Sequence, residues 1–186
     1  MAEQHLSSPP YPGDEILPSA VMVYDQTRII SATPADIWPW IVQLGKGRGG
    51  WYCPASWEKW MPVSWRASRT INPTWQDLKP GDRVDDYGLS VEDYFDVVAI
   101  EPRKYLMYKS DRYGASFTWT LMLHHLEPLS SGTEARTLVH LRFRGSIAAT
   151  GWKQRVLVAG GRFMDSVFTW PMLQGMAERV ERSHAD

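Results

Sequence analysis

Apolar and polar positions change their period several times along the chain. Val21, Val23, Tyr24, Thr27, Ile29 and Ile30 are the β-branched and aromatic residues of a first predicted strand over 21–31. Thr33-Pro34-Ala35-Asp36 then offers a capping side chain, a proline at the first helical position and a carboxylate in the first turn. That start predicts a helix through Ile37, Trp38, Ile41, Val42 and Leu44, ending at Gly45. A second short helix carries Trp57 and Trp60 on one face and stops at Pro62. Residues 62–80 have no apolar period and read as a long, aromatic-studded loop.

Lys79-Pro80-Gly81-Asp82 is a turn signal, and after it strand patterns follow one another over 83–87, 94–100, 105–109, 116–126 and 137–144. Short connections such as Glu101-Pro102-Arg103 and Ser130-Ser131-Gly132-Thr133 make consecutive strands antiparallel neighbours in a meander. From Trp152 the period becomes helical, with Val156, Leu157, Phe163, Val167, Met172, Leu173, Met176 and Val180 at mostly three- and four-residue intervals. Gly160, Gly161 and Pro171 interrupt this last helix and are expected to kink or divide it. Residues 1–19, with Pro9, Pro10, Pro12 and Pro18, are expected to be a flexible tail ahead of a single domain over 20–183.

A turn at Gly132 pairs His124 with His140 and His125 with Val139. Thr118, Thr120, Met122 and His124 then share a face with His140, Arg142 and Arg144. Phe117, Trp119, Leu121, Leu123 and His125 share the other with Val139, Leu141 and Phe143. The second face is the one expected to be buried, which makes His125 its odd polar group. A one-residue slip would exchange it for His124.

Composition narrows the function. Twenty basic and twenty-one acidic side chains give a net charge of -1, without a basic block long enough to track a phosphate backbone, so nucleic acid is not an expected partner. Cys53 is the single cysteine, which excludes an internal disulfide and fits a reducing cytoplasm. The first twenty residues hold no signal-like apolar run, and none elsewhere approaches the roughly 18 residues of a membrane span. Seven of the ten tryptophans fall between Trp38 and Trp75. Indole suits a packed core, and it equally suits the wall of a cavity for a bulky apolar ligand.

The order of strand, short helices, antiparallel meander and C-terminal helix resembles the polyketide cyclase/START-like superfamily, whose members share the helix-grip fold of the birch-pollen allergen type. The resemblance is carried by Ser31-Ala32-Thr33-Pro34-Ala35-Asp36-Ile37-Trp38 at the strand-to-helix junction. It extends to the glycine-aromatic segment Gln43-Leu44-Gly45-Lys46-Gly47-Arg48-Gly49-Gly50-Trp51-Tyr52 and to the turn Asp77-Leu78-Lys79-Pro80-Gly81-Asp82. It implies an α+β fold in which a curved antiparallel sheet wraps a long C-terminal helix around an apolar cavity. Function varies widely across the superfamily, from lipid carriers and receptors to cyclases and lyases.

Candidate chemistry follows from residue types. Gly45-x-Gly47-x-x-Gly50 has the letters of a dinucleotide fingerprint but follows a helix instead of a strand, so it reads as a turn at the cavity mouth. His124 and His125 point to opposite faces and cannot easily join His140 around one metal ion. Asp85, Asp86, Glu92, Asp93 and Asp96 read as a solvated acidic run. No Gly-x-Ser-x-Gly elbow is present. The expectation is therefore a cofactor-free and metal-free site for an apolar polyketide-, aromatic- or terpenoid-type molecule. Trp38, Arg48, Trp51, Trp57, Tyr94, Trp119, Phe163, Val167 and Trp170 are the expected lining, and His125, Tyr52 and Tyr108 the groups that would move a proton in a cyclisation, dehydration or isomerisation. A non-catalytic carrier or sensor needs the same wall without the proton-transfer groups. An interaction protein would instead expose its tryptophans as a patch. An oligomer is compatible with all three readings.

Overall fold

A computed structural model describes residues 11–88, 93–127, 135–147 and 168–183. Strand β1 is Met22–Ile30. Helix α1, Pro34–Val42, starts as its sequence predicts: the Thr33 side chain accepts from the Asp36 amide, and Asp36 returns a bond to the Thr33 amide. It ends at a Gln43 cap, before the glycine expected to stop it. Helix α2 is only Ala55–Glu58, and two 3-10 turns at Val63–Trp65 and Pro73–Trp75 occupy the predicted loop. Strands β2 (Arg83–Asp85), β3 (Tyr94–Glu101), β4 (Tyr105–Arg112), β5 (Ala115–Leu126) and β6 (Arg136–Ile147) follow. The chain then re-enters the described structure in a helix over 168–183, here α3. The kink expected at Gly160 and Gly161 falls outside the described residues.

The six strands form one antiparallel sheet in the order β1-β6-β5-β4-β3-β2, so the first strand closes against the last. The β4–β5 hairpin turns on Tyr113 and Gly114, both left-handed at φ 56° and 72°, which suits a two-residue connection between twisted strands. In the β3–β4 turn Pro102 precedes a left-handed Arg103. Val98 is the extra residue of a bulge that shifts β3 against β4. In the last hairpin His140 lies opposite Met122 and His124 opposite Leu138, two residues away from the expected pairing. A two-residue shift keeps every side chain on its face, so the two predicted faces are the observed ones.

The inner face carries the core. Leu106, Tyr108, Leu121, Leu123, Val139 and Leu141 from the sheet pack in one cluster with Ile37 and Ile41 of α1 and with Met172, Leu173, Met176, Ala177 and Val180 of α3. This is the helix-grip arrangement that the resemblance implied. α3 approaches residue 53 so closely that a Cβ on Gly175 would lie 2.5 Å from the Cys53 carbonyl, which only glycine tolerates. Arg179 fixes the approach. Its guanidinium donates to the Ser68, Cys53 and Gly175 carbonyls and to the Glu58 carboxylate, and Arg69 also reaches Glu58.

The outer face is covered too, by part of the segment expected to be a flexible tail. Residues 11–20 lie over it because its polar side chains hold them. Arg142 donates to the Asp14 carboxylate at 2.8 Å, Arg144 to the Leu17 carbonyl at 2.8 Å, and Thr120 to the Pro12 carbonyl at 3.3 Å. Gly13 sits against Met107 and Thr120, and the Tyr11 ring meets His140 edge-on. Beneath this strap His140 is fully buried, with Nε2 2.6 Å from Asp25, which also takes two bonds from Arg142.

Candidate functional site

At one end of the inner face, strand alternation places Phe95, Tyr108, Phe117 and Trp119 on three neighbouring strands, and the glycine-rich segment after α1 brings in Trp51. Gly45, at φ 123°, permits that segment's approach: its missing Cβ would stand 2.1 Å from Val84 of β2. Phe95 and Trp119 stack at 5.7 Å, and the Trp51 ring stands edge-on to Phe95, Trp119 and Tyr108 at 5.7, 5.6 and 6.4 Å. These are the separations and angles at which ring quadrupoles attract. Trp51 is oriented from outside the cluster, since its indole N–H donates to Asp86 at 3.0 Å and Asp86 is held in turn by Arg112 at 2.6 Å. The Arg112 guanidinium lies 5.1 Å over both Phe95 and Phe117. An open depression of about 570 Å³ adjoins this end, lined by Asp111, Arg112, Tyr113, Ser116 and Ile147.

Polar atoms without partners lie within this apolar wall. The Tyr108 hydroxyl, the Trp119 indole N–H and the Arg48 Nε are buried and have no hydrogen-bond partner among the described residues. Buried polar atoms are nearly always paired, because each unpaired one costs about 1–3 kcal/mol. Burial raises the Tyr108 hydroxyl above its ordinary pKa, and the neighbouring Arg48 charge offsets this only partly. At neutral pH Tyr108 is therefore a neutral phenol that can donate a proton or a hydrogen bond. The same guanidinium is anchored through Nη2, which donates to the Val42 carbonyl at 3.0 Å and the Trp75 carbonyl at 2.6 Å.

The expected site residues divide. Tyr108, Trp51, Trp119 and Arg48 come together here. Tyr52 is equally buried, but its hydroxyl donates to the Trp40 carbonyl at 2.8 Å and accepts from Gln43 at 3.1 Å, under the Arg179 guanidinium. Burial raises it as well, against the opposing pull of Gln43 and Arg179. It is a satisfied structural group. His125 lies exposed near the end of β5, opposite Thr137, so its expected place in the core does not hold. Trp57 and Trp170 are about half exposed and line no interior wall. Trp38 packs partly buried against the core cluster, while Tyr94 lies on the outer side of β3 beneath Arg83 at 4.1 Å. Phe163 and Val167 lie outside the described residues.

Sequence reasoning missed Phe95, Phe117, Arg112 and Asp86. For the first three the signal was available in strand parity: Phe95 alternates with Val97, Phe117 with Trp119, and Arg112 with Tyr108 and Ser110. Asp86 was assigned to solvent because its partners, Trp51 and Arg112, are 35 and 26 residues away. Among the described residues no group of three His, Cys, Asp or Glu side chains is placed to hold a metal ion, and no helix is long and apolar enough to cross a membrane.

No family model matches the chain, and neither does any curated protein. Solved structures similar to it include a Polyketide_cyc-like protein from Corynebacterium glutamicum, at 14% identity over 86% of this chain and 91% of that one, with a TM-score of 0.41. A protein of the dynemicin biosynthetic locus is 18% identical over 86% of this chain and 47% of that one, with a TM-score of 0.43. The Aha1 dimer from Colwellia psychrerythraea is 12% identical over 81% of this chain and 96% of that one, with a TM-score of 0.38. Strand order, the closure of β1 on β6 and the α3 contacts give the chain a helix-grip arrangement, one antiparallel sheet packed against a C-terminal helix.

Proposed function

We propose that the chain binds a bulky, mainly apolar small molecule bearing a carbonyl or similar acceptor oxygen, against the wall formed by Trp51, Phe95, Phe117 and Trp119. The observation that carries this reading is the set of unpaired polar atoms on that wall. Tyr108 and Trp119 are donors without acceptors, and one acceptor oxygen placed among the rings would satisfy a donor whose isolation is otherwise costly. Arg48 adds a fixed positive charge beside Tyr108.

The same arrangement suits cofactor-free cyclisation, dehydration or isomerisation of a polyketide-, aromatic- or terpenoid-type substrate. A carbonyl oxygen that gains negative charge during enolisation would be stabilised by the neutral Tyr108 phenol and the Arg48 cation, while the aromatic wall holds one conformer and keeps water away. Tyr108 would act as hydrogen-bond donor or acid; burial disfavours its phenolate as a base. A carrier or sensor is the second reading, supported by the two-sided bonding of the Tyr52 hydroxyl and the exposure of His125, two of the three expected proton-transfer groups.

Tryptophan-fluorescence titration with aromatic, polyketide and fatty-acid-like compounds, together with native mass spectrometry of the purified protein, tests binding. Saturable binding weakened about tenfold by Tyr108→Phe supports the site, consistent with about 1.4 kcal/mol for a lost buried hydrogen bond. Binding unaffected by both Tyr108→Phe and Trp51→Ala would remove it. Product analysis on a bound compound separates the two readings, since only an enzyme turns it over and loses turnover in Tyr108→Phe.

A further inference from the structure

The tryptophans that do not join the inner wall are grouped elsewhere. Trp57 lies on α2, Trp60 in the turn that follows it, and Trp65 in the 3-10 turn over Val63–Trp65. Trp60 is 90% exposed, Val63 77%, and Trp57 and Trp65 about half. The segment is folded into a fixed knob: the Trp60 and Met61 amides close onto Trp57 and Glu58, the Trp65 amide onto Pro62, and the Arg66 guanidinium onto the Met61 and Lys59 carbonyls. Tyr87 extends it, with its ring 5.9 Å from Trp65 and the Lys46 ammonium 5.7 Å above. Exposing several indoles costs free energy in water unless something covers them.

Charge indicates what that is. Residues 55–76 contain Lys59, Arg66 and Arg69 but only one carboxylate, Glu58, in a chain whose net charge is -1. Glu58 is buried and taken up by Arg69 and Arg179. Lys59 and Arg66 are exposed and form no ion pair with a carboxylate among the described residues. We infer that this knob is a peripheral docking surface for an anionic lipid bilayer, with Trp57, Trp60, Val63 and Trp65 entering the headgroup boundary and Lys59 and Arg66 facing the lipid phosphates. Indole prefers that boundary because it has a large apolar body and one N–H to keep wet, and nearby cations add attraction to anionic headgroups. The indoles of Trp57, Trp60 and Trp65 make no ring contact with one another among the described residues, so they form no single flat plate for a protein partner. Separate projecting rings suit a fluid boundary that needs no matching shape.

Co-sedimentation of the full chain with phosphatidylglycerol/phosphatidylcholine vesicles tests this. Saturable binding is expected, weaker without phosphatidylglycerol or at raised salt, about tenfold weaker in Trp60→Ala and several-fold weaker in Lys59→Glu. Both side chains are exposed, so an unchanged thermal transition will show that the variants are folded. Absence of binding to anionic vesicles, or binding indifferent to both substitutions, overturns the proposal. Concentration-dependent self-association that Trp60→Ala abolishes, without vesicle binding, would also overturn it and assign the surface to a protein contact.

Discussion

Tyr52 and Tyr108 are both fully buried, yet the Tyr52 hydroxyl is bonded on two sides and the Tyr108 hydroxyl on none. Removing the oxygen therefore has opposite consequences. Tyr52→Phe leaves the Trp40 carbonyl without its donor and Gln43 without one of its acceptors, and a loss of about 1–3 kcal/mol is expected in urea unfolding. Tyr108→Phe deletes a polar atom that has no partner, so stability should stay within about 0.5 kcal/mol of the parent or rise, while ligand affinity falls. Equal destabilisation by the two would mean that Tyr108 has a structural partner and would remove the main support for the proposed anchor. Sequence treated the two tyrosines alike. What separates them is hydrogen bonding to Trp40 of α1 and to its Gln43 cap, 12 and 9 positions away, which no local pattern encodes.

At the level of elements, α3 and the strap over 11–20 are each held by an arginine that sequence did not single out. Glu58 and Arg179 form a buried pair at 2.5 Å, with Arg179 also spread over three backbone carbonyls. Arg179→Met strips all of these at once and should cost about 3–5 kcal/mol, whereas the double change Arg179→Met with Glu58→Leu should cost less than the sum of the two single changes. A double-mutant cycle in urea measures both. The strap depends on Arg142 bridging Asp14 and Asp25. Burial pushes the Asp25 carboxyl up, but its bonds from His140 and Arg142 outweigh this and leave it below its ordinary value of 3.8. A carboxylate depressed in the folded state stabilises the fold fully above its unfolded value and loses that contribution as pH falls through the lower, folded value. The urea midpoint should therefore drop more steeply below about pH 4 in the parent than in Asp25→Asn. Equal slopes would show that the strap network does not stabilise the charge. Element types were legible because α1 has a capping box and the strands alternate. The strap was not, because residues 11–20 have no period of their own and are ordered by arginines more than a hundred residues later.

Across the whole molecule the fold depends on contacts that span most of the chain. β1 pairs with β6, and residues between 53 and 68 are bound to Glu178 and Arg179 of α3, more than a hundred residues later. Face parity along β5 and β6 was readable because a two-residue shift preserves it. The exposure of His125 was not readable, since the alternation that puts it on the inner face does not say where along β5 that face stops being covered. Such dependence makes α3 a condition for folding. Met172, Leu173, Met176 and Val180 are almost wholly buried, and at about 1.5–3 kcal/mol each their removal would expose about 6–12 kcal/mol of apolar contact. That is comparable with the entire stability of an ordinary domain, about 5–15 kcal/mol, before the loss of Arg179 is counted. A chain ending at residue 167 should therefore show no cooperative urea transition and should bind a fluorescent apolar dye, while a peptide of residues 168–186 added in excess should restore the transition. A cooperative transition in the truncated chain alone would mean that the sheet, α1 and the strap make a sufficient core by themselves.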